Sequence, residues 1–283
     1  MKHLPITDAH VHFWDPATIR YGWLDGLEKL NRAFLPHDYA AATRSCEIKT
    51  LIFVESGCHP ALSLAEINWI ERLAKGEPRI QGIVAHAAVE LGPGVREDLE
   101  QLASRPLVKG VRRLLQSESD PEFCLQNSFL QGLRLLAEFG FTFDVCIRAE
   151  QLPGVIRMAR EVPEVTFVLD HCGKPDIRNR TFDPWAKNLQ AFADLPNTVC
   201  KISGLTTEAD LEHWQPADLK PYLQAAFRSF GFNRILFGSD WPVATLATTY
   251  EAWVNVVLDA ANDASDQERL MLFGGNAERI YRV

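Results

Sequence analysis

Residues 165–175 read VTFVLDHCGKP, an apolar run that ends directly in a group of polar side chains. Residues 50–55 (TLIFVE) and 234–240 (RILFGSD) follow the same design. Nearly continuous apolar runs of this length are typical of parallel β-strands covered on both faces, whereas a half-exposed strand alternates apolar and polar residues. These segments therefore predict a buried parallel sheet with polar residues at the carboxyl ends of its strands.

Eight β-rich runs alternate with longer amphipathic runs. The predicted strands span 6–12, 50–55, 80–87, 107–113, 142–147, 165–170, 199–203 and 234–239, and the clearest predicted helices span 60–75, 128–139, 152–160, 184–193, 219–230 and 250–261. Eight strand–helix units over about 250 residues are typical of a (β/α)8 barrel with right-handed crossovers. An open doubly wound sheet is the alternative, but no GxGxxG follows the first strand and no GxxxxGK[ST] occurs.

No Gly/Ser-rich linker, charge block or repeat divides the chain, so residues 1–283 are predicted to form a single (β/α)8 TIM-barrel domain. The segment 14–39 is too long and too aromatic for a plain turn. We expect this N-terminal loop to lie over the C-terminal face of the barrel.

The composition limits the classes of partner that the protein is expected to bind. With 29 Lys and Arg against 37 Asp and Glu, the net charge is −8, which disfavours nucleic acid and anionic membrane surfaces. The six cysteines form no CxxC pair, which suits reduced thiols in a cytoplasmic protein, and neither a signal peptide nor a membrane span is indicated. A monomer and a homo-oligomer both remain open.

Polar side chains collect where the predicted strands end. They are His10 and His12, Glu55, His86, Arg112 and Arg113, Asp144 and Cys146, His171, Lys201 and Ser203, and Asp240, in strand order. Active sites of such barrels lie at the carboxyl ends of the strands. Titratable groups after nearly every strand therefore predict one polar pocket.

Four of these positions have a structural alternative. His10 and His12 are two residues apart, so in a strand both rings reach one face and can share a metal or a substrate oxygen; otherwise one is a satisfied barrel residue and the other a surface residue. Asp240 is either a helix N-cap or a general base that takes a proton from water. His171 is either a buried, satisfied histidine or a site residue oriented by Asp170.

Four ordered motifs resemble the amidohydrolase superfamily, in particular its branch of sugar-lactone hydrolases. They are DAHVHFW (8–14), LDHCGKP (169–175), CKISGL (200–205) and FGSDWP (237–242). The resemblance implies a TIM barrel in which His10, His12, His171 and Asp240 are the catalytic or metal-facing set, with Asp240 as general base. It also implies that Arg112 binds the lactone carbonyl or a carboxylate.

The resemblance raises the question of a metal. One divalent ion such as zinc would be held by His10, His12 and Asp240. The position after the fifth strand offers Asp144 and Cys146 where the family usually has a histidine, so the occupancy of this site stays open. No nucleotide cofactor is expected.

Further residues are candidates for binding substrate. Trp14, Tyr21, Trp23 and Trp241 lie beside the motifs, where they either stack on a sugar ring or close the top of the barrel. Lys201 is expected either to bind a substrate hydroxyl or carboxylate or to pair with Asp170 or Asp144. His86 is expected to line the pocket, and Lys174 to do no more than cap its loop.

The expected reaction is hydrolysis of a sugar aldonolactone, of the L-fucono-, L-rhamnono- or L-galactono-lactone type, to the aldonic acid by water that Asp240 activates. One alternative is an isomerase or hydrolase of a dicarboxylic, muconate-type lactone. That substrate requires more than one cationic anchor, which Arg112 with Arg113 or Lys201 would supply. The other alternative is a non-catalytic barrel that binds a sugar acid.

Overall fold

The eight predicted strands are all present and form one parallel sheet in chain order. A computed structural model describes residues 4–283, and its strands are β1 (Pro5–Val11), β2 (Glu47–Val54), β3 (Ile80–His86), β4 (Val108–Arg112), β5 (Thr142–Val145), β6 (Phe167–Leu169), β7 (Thr198–Ile202) and β8 (Ile235–Phe237). A parallel bridge joins Val11 to Trp241, and the His12 backbone N–H donates to the Trp241 carbonyl over 2.8 Å. The sheet thus closes on itself just beyond β8, which confirms the (β/α)8 barrel.

Ten α-helices are seen in residues 4–283. They are α1 (Pro36–Ala42), α2 (Ser63–Ala74), α3 (Arg96–Ala103), α4 (Asn127–Glu138), α5 (Leu152–Glu161), α6 (Trp185–Ala193), α7 (Pro216–Phe230), α8 (Tyr250–Ala260), α9 (Asp266–Leu270) and α10 (Asn276–Tyr281). The six predicted helices correspond to α2 and α4–α8. The four others have at most eight residues, too few to show a helical apolar period. Within the described residues, no helix combines the length and the apolar character that crossing a membrane requires.

Alternate residues of each strand point to opposite sides of the sheet. One set, which includes Phe143 and Phe167, packs outward in the large core shared with the helices. The other set points into the barrel, where Val84, Val168 and Leu236 form a fully buried apolar layer. The polar side chains of the same inward-facing set lie nearer the carboxyl ends of the strands. The alternation of side-chain direction therefore puts the candidate site at that end of the barrel.

The segment 14–39 lies against the carboxyl ends of the strands, as predicted. The Trp14 indole N–H contacts the Leu30 carbonyl at 3.1 Å and the Arg32 carbonyl at 3.0 Å, which ties the loop to itself. The Trp23 indole N–H donates to the carbonyl of Ser56, two residues after β2, over 2.7 Å. This second contact holds the loop over the face of the barrel.

Candidate active site

A cavity of about 340 Å³ opens at the carboxyl ends of the strands. It brings together four residues from the family motifs and strand ends, which are His12, Arg112, His171 and Asp240, and one residue of the N-terminal loop, Trp23. Its size is within the range of small-molecule sites, which span roughly 300–1,000 Å³. The convergence of side chains from β1, β4, β6 and β8 is the pocket that the strand ends predict.

Two imidazoles and a carboxylate form a compact cluster at the base of this cavity. His10 Nε2 lies 3.1 Å from His12 Nε2, and Asp240 Oδ1 lies 3.7 Å and 3.4 Å from these two nitrogens. Asp240 has a left-handed backbone with φ of 57°, and its N–H donates to the His10 carbonyl over 2.9 Å. Asp and Asn tolerate this conformation better than other residues that carry a Cβ. The strained turn holds the carboxylate against β1.

The cluster fits a divalent metal. Three ligands about 2.1 Å from a tetrahedral zinc lie about 3.4 Å apart, close to the three distances here. His12 Nδ1 contacts the Val54 carbonyl at 2.8 Å and must donate there, so the neutral ring has its lone pair on Nε2. Asp170 Oδ1 lies 3.3 Å from His10 Nδ1 and 3.1 Å from Lys201 Nζ. The tautomer of His10 that donates from Nδ1 to this carboxylate leaves the Nε2 lone pair free for the metal.

Burial and neighbouring charges set the protonation states at the site. Burial alone would raise the pKa of Asp240, but the adjacent His171, His12 and His10 outweigh it and hold that pKa below the usual range of a carboxyl. Burial lowers the pKa of His171 to about 4, although Asp240 and Asp170 oppose the shift. At neutral pH the site therefore presents an ionised carboxylate beside a neutral imidazole, an arrangement suited to accepting a proton from water.

His171 is fixed by contacts on two sides. Its Nδ1 lies 2.9 Å from the Ser203 hydroxyl at the end of β7. Gly204 follows with φ of +65°, and a Cβ there would lie 2.4 Å from the ring, so the close approach requires glycine. His171 itself is left-handed, with φ of 55° and ψ of 35°. Strained backbone of this kind persists only where surrounding contacts enforce it, and it is concentrated at functional sites.

Arg112 lines the cavity with its charge already compensated. Its Nε donates to Glu55 Oε1 over 2.7 Å, and its Nη1 donates to Asp170 Oδ2 over 3.1 Å. Asp170 also lies 3.1 Å from Lys201 Nζ, which lies 2.5 Å from Asp144. Two cations and three carboxylates thus form one buried network under the cavity floor. The network fixes Arg112 while leaving part of its donor fork for a ligand.

Three of the predicted aromatic residues do not line the cavity. Trp14, Tyr21 and Trp241 are almost fully buried. Tyr21 donates its hydroxyl proton to Glu66 over 3.0 Å, and Trp241 packs edge-on against other aromatic rings, with its centroid 5.3 Å from that of Tyr39. They close the top of the barrel, which is the second of the two predicted roles. Trp23 alone of the four predicted aromatic residues lies at the cavity.

His86 and Lys201 also lie apart from the cavity. His86 lines a separate cavity of about 250 Å³ between the loops that follow β2 and β3, where Asp98 is among its neighbours. Lys201 is fully buried inside the barrel and pairs with Asp144 and Asp170, the structural alternative stated for it. The structure gives neither residue a contact surface for substrate at the main cavity.

Sequence reasoning missed several residues of the cavity wall, and two of them, Lys174 and Gln116, contact each other. Lys174 does more than cap its loop, because its ammonium group reaches the cavity and donates to Gln116 Oε1 over 2.6 Å. The available signal was its position three residues after His171 in the same motif. Gln116 lies in the loop after β4, where no sequence pattern singles it out.

Comparisons with known proteins place the chain in a family. The amidohydrolase family model matches residues 7–283, and the chain belongs to this family of hydrolytic enzymes. The L-fucono-1,5-lactonase of Burkholderia multivorans is 32% identical over 98% of this chain and 95% of its own length. The L-rhamnono-gamma-lactonase of Scheffersomyces stipitis is 24% identical over 72% of this chain and 69% of its own length. An amidohydrolase structure from B. multivorans with bound zinc superimposes with a TM-score of 0.89 at 30% identity, covering 98% of this chain and 99% of the other.

The metal fit predicts a thermal shift. Zinc added to chelator-treated protein should raise Tm, since a ligand of the folded state at 100 times its Kd stabilises that state by about 2.7 kcal/mol. His12→Gln should largely remove the shift because the amide cannot replace the imidazole Nε2. His213→Gln, an exposed histidine, is the matched control. A zinc shift in His12→Gln as large as in the unaltered protein would place the ion elsewhere.

Proposed function

We propose that this enzyme hydrolyses a neutral sugar aldonolactone, of the L-fucono-, L-rhamnono- or L-galactono-lactone type, to the aldonic acid, with Asp240 as the general base. The observation that carries the proposal is the meeting of ionised Asp240, neutral His171 and the Arg112 guanidinium at one small cavity. The names of the two lactonase relatives support the choice of a lactone.

In the proposed reaction, water attacks the lactone carbonyl carbon while Asp240 takes a proton from this water. The ring C–O bond then breaks, and the ring oxygen takes up a proton to become a hydroxyl. His171 orients the water or protonates the leaving oxygen, and its contact with Ser203 fixes the ring for either role. General base catalysis of this kind contributes about 10²–10⁴ in rate. The products are one carboxylic acid and one hydroxyl, so atoms and charge balance.

The oxyanion that forms on the carbonyl oxygen needs a positive group or hydrogen-bond donors. Arg112 supplies N–H groups from a guanidinium that Glu55 and Asp170 hold in place before substrate arrives. One well-placed donor of this kind contributes roughly 3–4 kcal/mol to stabilising the transition state. A divalent metal held by His10, His12 and Asp240 would act as a Lewis acid toward the same carbonyl.

The charges around the cavity favour a neutral substrate over a dicarboxylic one. Arg112 is already paired with Glu55 and Asp170, and Lys174 Nζ lies 3.6 Å from Glu208. A dicarboxylic lactone would bring further negative charge to a site where Asp240 is ionised and both neighbouring cations are compensated. Like charges in a partly desolvated pocket repel strongly.

A pH-stat screen tests the proposal, because each turnover releases one titratable acid. The panel comprises L-fucono-, L-rhamnono-, L-galactono- and D-series aldonolactones, with muconolactone as the anionic comparison. We expect kcat/KM for at least one neutral L-series lactone to exceed that for muconolactone by 100-fold or more. A preference for muconolactone, or no aldonolactone hydrolysis above the spontaneous rate, would reject the proposed substrate class.

A further inference from the structure

A left-handed turn carries two side chains into the cavity at once. Residues His171, Cys172, Gly173 and Lys174 all have positive φ, at 55°, 53°, 70° and 49°. Only glycine adopts this conformation without strain, and three of the four residues are not glycine. The Lys174 N–H donates to the His171 carbonyl over 2.9 Å, which closes the turn. The two residues at its ends, His171 and Lys174, both line the cavity.

Contacts from neighbouring elements hold this turn in place. The Trp185 indole N–H donates to the Cys172 carbonyl over 2.8 Å, and the Cys172 thiol contacts the Lys201 carbonyl at 3.6 Å. With His171 fixed by Ser203, the turn is pinned on both sides. Lys174 is thereby held at a fixed offset from the groups that act on the carbonyl.

The Lys174 ammonium group keeps donors free for a ligand. Among residues 4–283 its polar contacts are Gln116 Oε1 at 2.6 Å and Glu208 Oε1 at 3.6 Å, and the second is too long for a hydrogen bond. An ammonium group has three N–H donors. The side chain is 19% exposed, and it lines the cavity that Trp23 and Asp240 also line. Because these unused N–H donors are largely buried, we expect the ligand to supply an atom that accepts hydrogen bonds from them.

We propose that Lys174 binds a ring hydroxyl of the substrate and makes the enzyme selective for hydroxylated lactones over bare ones. This inference rests on the proposed lactone hydrolysis and adds the residue that distinguishes a sugar lactone from a lactone without ring hydroxyls. A hydroxyl oxygen suits the position better than a carboxylate because it accepts a hydrogen bond without adding negative charge near Glu208 and Asp240. The turn that joins Lys174 to His171 sets the distance at which the hydroxyl must lie from the carbonyl.

Lys174→Met tests this role, because methionine has similar length but neither charge nor donor. The substrates are the best aldonolactone of the screen and δ-valerolactone, which has the lactone group but no ring hydroxyl. We expect kcat/KM for the aldonolactone to fall at least 10-fold, mainly through KM, while δ-valerolactone turnover stays within about 2-fold. Lys187→Met, at an exposed position of α6, is the matched control and should change neither. An unchanged KM, or equal losses on both lactones, would overturn the proposal.

Two further measurements separate this role from folding and from the proposed reaction. Lys174→Gly should raise Tm, because glycine relieves the left-handed strain, and still lose affinity for the aldonolactone. Binding of the lactams that correspond to the L-fucono-, L-rhamnono- and L-galactono-lactones, measured by calorimetry, does not depend on hydrolysis. We expect Lys174→Met to weaken that Kd at least 10-fold, whatever the outcome of the activity screen. Equal Kd values in both proteins would reject Lys174 as the anchor, and no lactam binding by the unaltered protein would reject the sugar substrate together with it.

Discussion

Asp240→Asn is expected to lower kcat for the best lactone by at least 100-fold while leaving the fold unchanged. The amide preserves the shape of the side chain but cannot take a proton from water. General base catalysis of this kind contributes a factor of about 10²–10⁴ in rate, and the variant loses it. Asparagine also tolerates the left-handed backbone at φ of 57°. The substitution therefore removes the base without disturbing the turn that presents it.

The controls for this variant separate the base from other roles of the same carboxylate. Asp266→Asn removes an exposed carboxylate at the start of α9 and should leave kcat unchanged. Each protein is assayed before and after chelation, so that loss of a metal ligand is not mistaken for loss of a base. With spontaneous hydrolysis subtracted, the deficit of Asp240→Asn should narrow as hydroxide replaces the missing base at higher pH. Near-normal turnover at neutral pH would show that another group activates the water.

The barrel could be predicted because its determinants are local. Apolar runs such as 50–55 specify strands buried on both faces, and their alternation with amphipathic segments leaves few topologies. The boundaries were less accurate for a physical reason. The run 165–170 reads as one strand, but the regular strand covers Phe167–Leu169, because Asp170 begins a short 3-10 turn that leads into the left-handed residues.

The core of the candidate site could also be predicted, since inward-facing positions at strand ends must meet in a closed barrel. His12, Arg112, His171 and Asp240 share one cavity for this reason. Adjacency in sequence was a poor guide to the aromatic residues, because tertiary packing turns Trp241 toward other rings. The sequence did not predict that Lys174 reaches the cavity, because this depends on a left-handed turn. Non-glycine residues rarely adopt that conformation, and nothing in a Cys-Gly-Lys sequence indicates it.

The largest expected loss of stability comes from Lys201→Met. This change leaves the buried carboxylates of Asp144 and Asp170 without the cation that joins them. Asp170 retains Arg112, but within residues 4–283 the structure shows Asp144 with only the hydroxyls of Tyr281 and Thr142 besides Lys201. Removing one partner of a buried ion pair costs about 3–5 kcal/mol, because the remaining charge is neither solvated nor compensated.

Urea unfolding followed by circular dichroism measures this cost. Lys220→Met, on the exposed side of α7, is the matched control and should stay within about 0.5 kcal/mol of the unaltered protein. Adding Asp144→Asn to Lys201→Met removes the uncompensated charge, so the double variant should recover a large part of the lost free energy of unfolding. Two results would argue that the network is not a set of mutually dependent charges. One is a Lys201→Met protein as stable as the control, and the other is a double variant less stable than the single one. If the predicted order holds, Lys201 stabilises the buried carboxylates that position Arg112 and His10. Its contribution to catalysis is then to hold those two groups in place rather than to touch the substrate.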